Sequence, residues 1–170
     1  MKNNSSICLF LLIILLAIPT LAQDFEIPNN YKFETKEDFI KYESDILKAI
    51  DYLENTSLKE NLDKRKSVNA FVMKFLMDSP DLKINIRPFL TDLYDKNTDL
   101  LMIFMGGWAK YSINNNYDAD EFNGSLFGLK SIIKVYTMGK GVNEDSDVED
   151  LIEMENEGEL EEWLKDELED

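Results

Sequence analysis

Six consecutive apolar residues, Leu100 to Met105, stand inside a segment of helical length running from Asp99 to about Asn115. A helix that is apolar on every face has to be covered, by other helices or by lipid. Crossing a bilayer takes roughly 20 apolar residues, so this run is too short to span and the rest of the chain must supply the cover. The segment therefore predicts a central helix, capped by Thr98, in a helical protein.

The flanking sequence offers partners for it. Thr35 and Asp38 form a capping-box pattern ahead of Phe39, Tyr42, Ile46, Ala49, Ile50 and Leu53, which recur at helical spacing until Asn55-Thr56-Ser57. Ser57 with Glu60 suggests a second box before Leu58, Leu62, Val68, Phe71, Val72, Phe75 and Leu76, with a stop at Ser79-Pro80. Leu82, Ile84 and Ile86 alternate as a strand would, but no comparable segment exists to pair with them, so an extended connector is expected. Pro88 opens a short third helix with Phe89, Leu90 and Leu93. After the central helix, Asp118 is expected to cap a fifth helix carrying Phe122, Leu126, Leu129, Ile133 and Tyr136, which Gly139 ends. Ser146 with Glu149 opens a sixth, Gly158 interrupts it, and Leu160, Trp163, Leu164 and Leu168 line a last short helix. The expected fold class is all-α, an irregular bundle or short solenoid of about six to seven helices without disulfides. Gly106-Gly107 and Gly124 with Gly128 fit a close helix contact, since each glycine in a helix costs about 0.8 to 1 kcal/mol relative to alanine unless packing offsets it.

Residues 1–22 read as a signal peptide: Lys2, an apolar run from Ile7 to Ile18, then Pro19-Thr20-Leu21-Ala22, with cleavage expected before Gln23. The sole cysteine, Cys8, leaves with that peptide, so the mature chain has no thiol chemistry. The division expected is a helical core over 23–142 and an acidic helical segment over 143–170 whose apolar edge docks on the core. A domain of this size buries about 68 to 70% of its unfolded surface and needs no disulfide staple. The expected location is periplasmic or secreted, with no transmembrane segment in the mature chain.

Asp63-Lys64-Arg65-Lys66, Asn69-Ala70-Phe71, Ser79-Pro80 and above all LLMIFMGGWAKYS, Leu100 to Ser112, resemble segments of a group of small uncharacterised exported bacterial proteins of similar length. The resemblance implies a bacterial, exported, single-domain protein. It implies no activity and no site residue.

Thirty-four acids against eighteen lysines and arginines give a net charge of −16, which a nucleic-acid backbone would repel. Fifteen of the acids lie in residues 143–170, against Lys165 alone. No histidine is present, which removes the commonest general base and metal ligand.

Individual motifs give way to plainer readings. Ser131-Ile132-Ile133-Lys134 has the serine–lysine spacing of penicillin-binding enzymes, but the companion motifs are missing and both residues fall off the apolar stripe, so a solvated face is expected. Asn143, Asp145 and Asp147 alternate as in a calcium loop, yet Val148 and Met154 occupy the positions that need glycine and glutamate. Asn116, Asp118 and Asp120 fail in the same way at Glu121 and Phe127. Helix capping and solvation are the expectation for both clusters. Lys64-Arg65-Lys66 reads as a solvated helix face, with an anionic ligand or the acidic end as the alternative. Gly139-Lys140-Gly141 is a helix stop, and the acceptor sequences at Asn55 and Asn123 are expected to be coincidental.

No catalytic, cofactor-binding or metal residue is therefore nominated, and no cofactor is expected. The leading expectation is an exported, non-enzymatic helical module that binds a protein or envelope component. The alternatives are a small carboxylate-dependent glycan hydrolase and a weak divalent-cation buffer.

Overall fold

The computed structural model describes residues 25–169, so the signal-peptide reading and the cleavage before Gln23 lie outside the described residues. Within them the chain is all-α, with seven helices and no strand: α1 Lys36–Asn55, α2 Leu62–Asp78, α3 Leu90–Tyr94, α4 Asp99–Asn114, α5 Glu121–Thr137, α6 Ser146–Glu157 and α7 Leu160–Glu169. Residues 82–86 form the extended connector that their isolation predicted. No helix among the described residues is long and apolar enough to cross a membrane.

Three helical pairs stack in chain order. α1 packs on α2, α4 on α5 most extensively of all, and α6 on α7; the first and last pairs both rest on the middle one and their helices do not touch each other. This is a short irregular solenoid in which each layer meets only its neighbour. The apolar run of α4 is the spine: Leu100, Ile103, Phe104 and Trp108 are buried.

The glycines explain why α4 and α5 approach so closely. A Cβ on Gly128 would stand 2.5 Å from the Phe104 ring and 2.9 Å from its carbonyl oxygen, and one on Gly107 would stand 2.7 Å from the Phe127 carbonyl. A Cβ on Gly124 would run into the Trp108 indole, while Gly106 opens the other face of α4 to Ile50 of α1. α5 thus contributes bare backbone where α4 contributes the Trp108 and Phe104 rings, and α4 contributes bare backbone at Gly107 against the Phe127 carbonyl and Ser131.

Caps follow the sequence at α1 and depart from it elsewhere. Thr35 Oγ1 accepts from the Asp38 amide at 3.3 Å while the Asp38 carboxylate accepts from the Thr35 amide at 3.1 Å. The box expected at Ser57 and Glu60 is not made: Ser57 Oγ accepts from the Lys59 amide in a turn, and α2 starts at Leu62 behind Asn61 at φ 49°. Thr98 makes no side-chain cap, Asp120 rather than Asp118 caps α5, and Asp145 rather than Ser146 caps α6. Runs of Asn, Asp and Ser offer several oxygens in a row, and the direction from which the chain arrives selects one.

Two features hold the ends. Phe33 packs its ring 5.5 Å from Phe39 and 5.3 Å from Phe75, joining the segment before α1 to α1 and α2. At the other end Leu160 and Leu164 of α7 are buried, and the Trp163 ring meets Phe89 edge-on at 5.4 Å.

Candidate functional site

A cleft of about 530 Å³ opens where three distant segments converge. The first two turns of α1 present Lys36, Phe39, Ile40 and Glu43 at helical spacing; the exit of α2 presents Ser79-Pro80-Asp81; the end of α4 presents Ile113, Asn116 and Tyr117. Pro80 cannot continue α2, so the chain turns there and leaves the wall open.

The α4 end is built unusually. The Tyr117 amide donates to the Ser112 carbonyl at 2.7 Å, the long bond of a Schellman-type stop, with Asn116 at φ 56° and Tyr117 at φ 60°. Asparagine tolerates the left-handed region, whereas a bulky tyrosine there costs on the order of 1 to 3 kcal/mol. The surroundings hold it: Ser112 Oγ donates to the Asp118 carbonyl at 2.9 Å, and Tyr111 Oη donates to the Asp118 carboxylate at 2.6 Å, which with partial desolvation pushes the Tyr111 phenol up to about 12. The strained turn aims Tyr117 across the cleft, where its hydroxyl donates to Glu43 Oε1 at 2.6 Å. Burial and the Glu43 carboxylate both raise the Tyr117 phenol, so it stays a donor.

Two further polar groups border the cleft. Lys36 Nζ lies 3.7 Å from Asp81 Oδ2 in a loose, exposed pair. Ser79 Oγ is buried and has no hydrogen-bond partner among the described residues. Phe39 and Ile113 supply apolar wall, and Ile40 is 56% exposed.

The motifs singled out in sequence fall elsewhere. The capping expected of the Asn143, Asp145 and Asp147 cluster is made at Asp145, and Lys66 and Lys134 are exposed as expected. The solvated reading is corrected at Arg65 and Asp145, which are buried. Ser131 Oγ donates to Glu54 Oε1 at 3.0 Å and Lys134 Nζ donates to Glu54 Oε2 at 2.8 Å, joined there by Lys110 Nζ at 3.0 Å. Glu54 is itself 2% exposed. Burial pushes its carboxyl upward, but Lys134 and Lys110 more than offset this and hold it below the usual range. Arg65 is also buried, not solvated: its guanidinium donates to the Leu53 carbonyl at 3.1 Å and to Thr56 Oγ1 at 2.7 Å, capping the end of α1. Asp145 is buried too; it accepts from Lys96 Nζ at 3.1 Å and from the Asp147 amide at 3.2 Å. The Lys96 ammonium is correspondingly raised by Asp145 and Asp147. Asn143 bonds the Lys96 carbonyl and Asn97, so its cluster ties the sixth helix to the α3–α4 turn. Of the other alternating set, Asn116 lines the cleft, while Asp118 and Asp120 serve the α5 start. Lys140 of the Gly-Lys-Gly stop accepts, through its carbonyl, from the Leu58 amide at 2.9 Å. No group of three or more Asp, Glu, His or Cys among the described residues is placed to hold a metal ion.

Glu43, Tyr117, Ser79 and Asp81 carry no local signature, since each becomes notable only when α1, α2 and α4 meet. The sequence signal closest to them is the Asn-Asn-Tyr run after α4, which marks a left-handed stop. No family model, no curated protein and no solved structure matches this chain.

Proposed function

We propose that the chain is an exported, non-enzymatic helical binding module whose cleft takes a saccharide-sized fragment of an envelope component. The observation that carries this reading is the convergence, in one cleft of about 530 Å³, of apolar wall with a hydroxyl, an amide, two carboxylates and an ammonium. Small-ligand sites are commonly concavities of about 300 to 1,000 Å³ with a few placed polar groups. The strain at Tyr117 is supported by the surrounding bonds and fixes one wall, which lowers the ordering cost of binding. Export rests on the signal-peptide pattern and on the resemblance of the LLMIFMGGWAKYS segment.

The hydrolase reading fares less well. Glycoside cleavage needs a protonated carboxyl in an apolar wall beside an ionised one. The buried acids Glu54 and Asp145 are each ion-paired to lysine, and in the cleft Glu43 faces Tyr117 while Asp81 faces Lys36. The cation-buffer reading has the exposed acids of α6 and α7 behind it and no convergent site among the described residues.

The test is an NMR titration of the ¹⁵N-labelled protein with soluble disaccharide–peptide fragments of bacterial cell wall, followed by mass analysis of the fragments. Shifts confined to residues 36–43, 79–81 and 113–117, with the fragments recovered intact, are expected. Unmoved resonances at millimolar fragment would defeat the reading, and cleaved fragments would replace it with the hydrolase.

A further inference from the structure

Independently of the cleft, α2 and α4 leave an apolar seam between them. They are among the most weakly touching neighbours in the fold, because α1 packs on both and holds them apart. The extended connector after α2 adds side chains to the seam without covering it. Two hollows result, of about 290 and 420 Å³, and both are bordered by Met73.

Their chemistry is distinctive. Met73, Met77, Met102 and Met105, four of the chain's seven methionines, border these hollows together with Leu76 and Ile84. Met77 is 76% exposed, the most exposed large apolar side chain described. Unbranched thioether side chains adapt to varied apolar shapes and are over-used at surfaces that receive helices. Asn69 to Met77 covers eight helical steps, about 12 Å at 1.5 Å per residue, which accommodates two turns or more of a helix laid alongside.

The charges beside the seam point to the kind of helix. Among the described residues Lys66, Lys83 and Lys140 are the lysines whose ammonium groups have no hydrogen bond, ion pair or ring contact. Lys83 borders the second hollow, and Lys66 lies one turn before Asn69 and Ala70 of the first. In a chain of net charge −16, two of three uncommitted ammonium groups thus flank one apolar seam. Asp99, the acid that borders it, sits in the first turn of α4 near Arg65.

We infer that the seam between α2 and α4 is a docking site for an amphipathic helix of a partner protein, one whose apolar stripe is flanked by Asp and Glu. The stripe enters between the methionines, and the flanking carboxylates reach Lys66 and Lys83. A partner strand is disfavoured because the described residues offer no sheet edge to extend.

The test uses two labelled synthetic helical peptides with the same leucine stripe, one flanked by glutamates and the other by lysines. The protein's net charge favours the lysine peptide, so a preference for the glutamate peptide can come only from local groups. At 0.15 M salt, with a Debye length of about 8 Å, anisotropy is expected to show the glutamate peptide binding at least tenfold more tightly. Methyl NMR is expected to move Met73, Met77, Met102 and Met105 while Met138 and Met154 stay in place. The exposed double substitution Lys66→Glu and Lys83→Glu is expected to abolish the tenfold preference with unchanged thermal unfolding. Equal binding of both peptides, preference for the lysine peptide, or shifts at Met138 and Met154 instead would overturn the inference. So would sedimentation showing a dimer that Met77→Ser dissociates, since the seam would then be covered by a second copy.

Discussion

The α4–α5 pair and the α6–α7 pair are both two-helix layers, yet opposite means hold them in place. In the first, Gly107, Gly124 and Gly128 let backbone meet backbone, the Phe104 and Trp108 rings and the Ser131 side chain. In the second, α6 and α7 reach the body through Val148, Leu151, Leu160 and Leu164, together with one buried acid, Asp145, gripped by Lys96. The exposed face of that layer is rich in carboxylate. A layer that depends on backbone approach tolerates no added atom, whereas a layer held by a few side chains and an ion pair tolerates substitution but responds to pH and salt. The difference should show in how each layer fails.

The largest expected effect is at the glycine seam. Gly128→Leu drives a side chain into Phe104, whose ring and carbonyl both stand within 3 Å of the new Cβ. Overpacking of this kind costs typically about 1 to 3 kcal/mol, and with two rigid partners the upper end is expected. The denaturation midpoint should fall for every probe at once, because the middle layer carries both others. A fall confined to α6–α7 probes would reverse the proposed hierarchy.

Next is Glu54, which ties α1 to α4 and α5 through Lys110, Lys134 and Ser131. Glu54→Gln leaves two half-exposed lysines facing each other, and a loss of about 1.5 to 3 kcal/mol is expected for hydrogen bonds to a charged group. The sign of the pH effect follows from linkage. Because the folded-state carboxyl lies below its ordinary value of 4.5, its stabilisation is complete above that value and is lost as pH falls through the folded value. Chemical denaturation from pH 7 to pH 3 should therefore show an acid decline that is shallower in Glu54→Gln. Parallel declines would mean that other carboxylates dominate the acid limb.

Asp145→Asn tests the outer layer. It keeps the Asp145 cap geometry but removes the charge that Lys96 grips, and a loss of about 1 kcal/mol is expected. Hydrogen exchange should accelerate in α6 and α7 while α4 and α5 keep their protection. Uniform acceleration would show that the layers unfold as one.

These three sites also measure how far the sequence can be read. The stripes of α1, α4 and α5 and the stop at Gly158 are local patterns, and a helix must display them wherever it packs. Gly124 and Gly128 read correctly as contact residues because small side chains repeat at one-turn spacing on an otherwise apolar helix. Glu54 was illegible, since its partners lie 56 to 80 residues away in the chain and its own neighbours give it the look of a surface acid. Arg65 was misread for the same reason: in the run Lys64-Arg65-Lys66 nothing marks the middle residue as the one facing the end of α1. The cleft was invisible because it is a gap among three segments, and the nearest sequence signs, Ser79-Pro80 and Asn115-Asn116-Tyr117, are ordinary helix stops until they meet.

The smallest expected effect separates the two layers by salt alone. α7 carries Glu161, Glu162, Asp166, Glu167 and Glu169 against Lys165, whose ammonium lies 5.4 Å from the centre of the Phe122 ring. Exposed like charges repel across the layer, and raising salt from 0.1 M to 1 M shortens the Debye length from about 10 Å to 3 Å. The buried glycine seam carries no such repulsion, so added salt should stabilise the outer layer while leaving the inner one nearly unchanged. Sodium chloride is the right salt, because sulfate strengthens apolar burial everywhere and would blur the contrast. Trp163, half-buried against Phe89, reports the outer layer once Trp108 is replaced by phenylalanine. Its emission is expected to shift to shorter wavelength, and its exchange protection to rise by a few tenths of a kcal/mol, on the scale of individual surface charge pairs. Emission typical of fully exposed indole at every salt concentration would mean that α7 stands off the body and that Leu160 and Leu164 do not hold it.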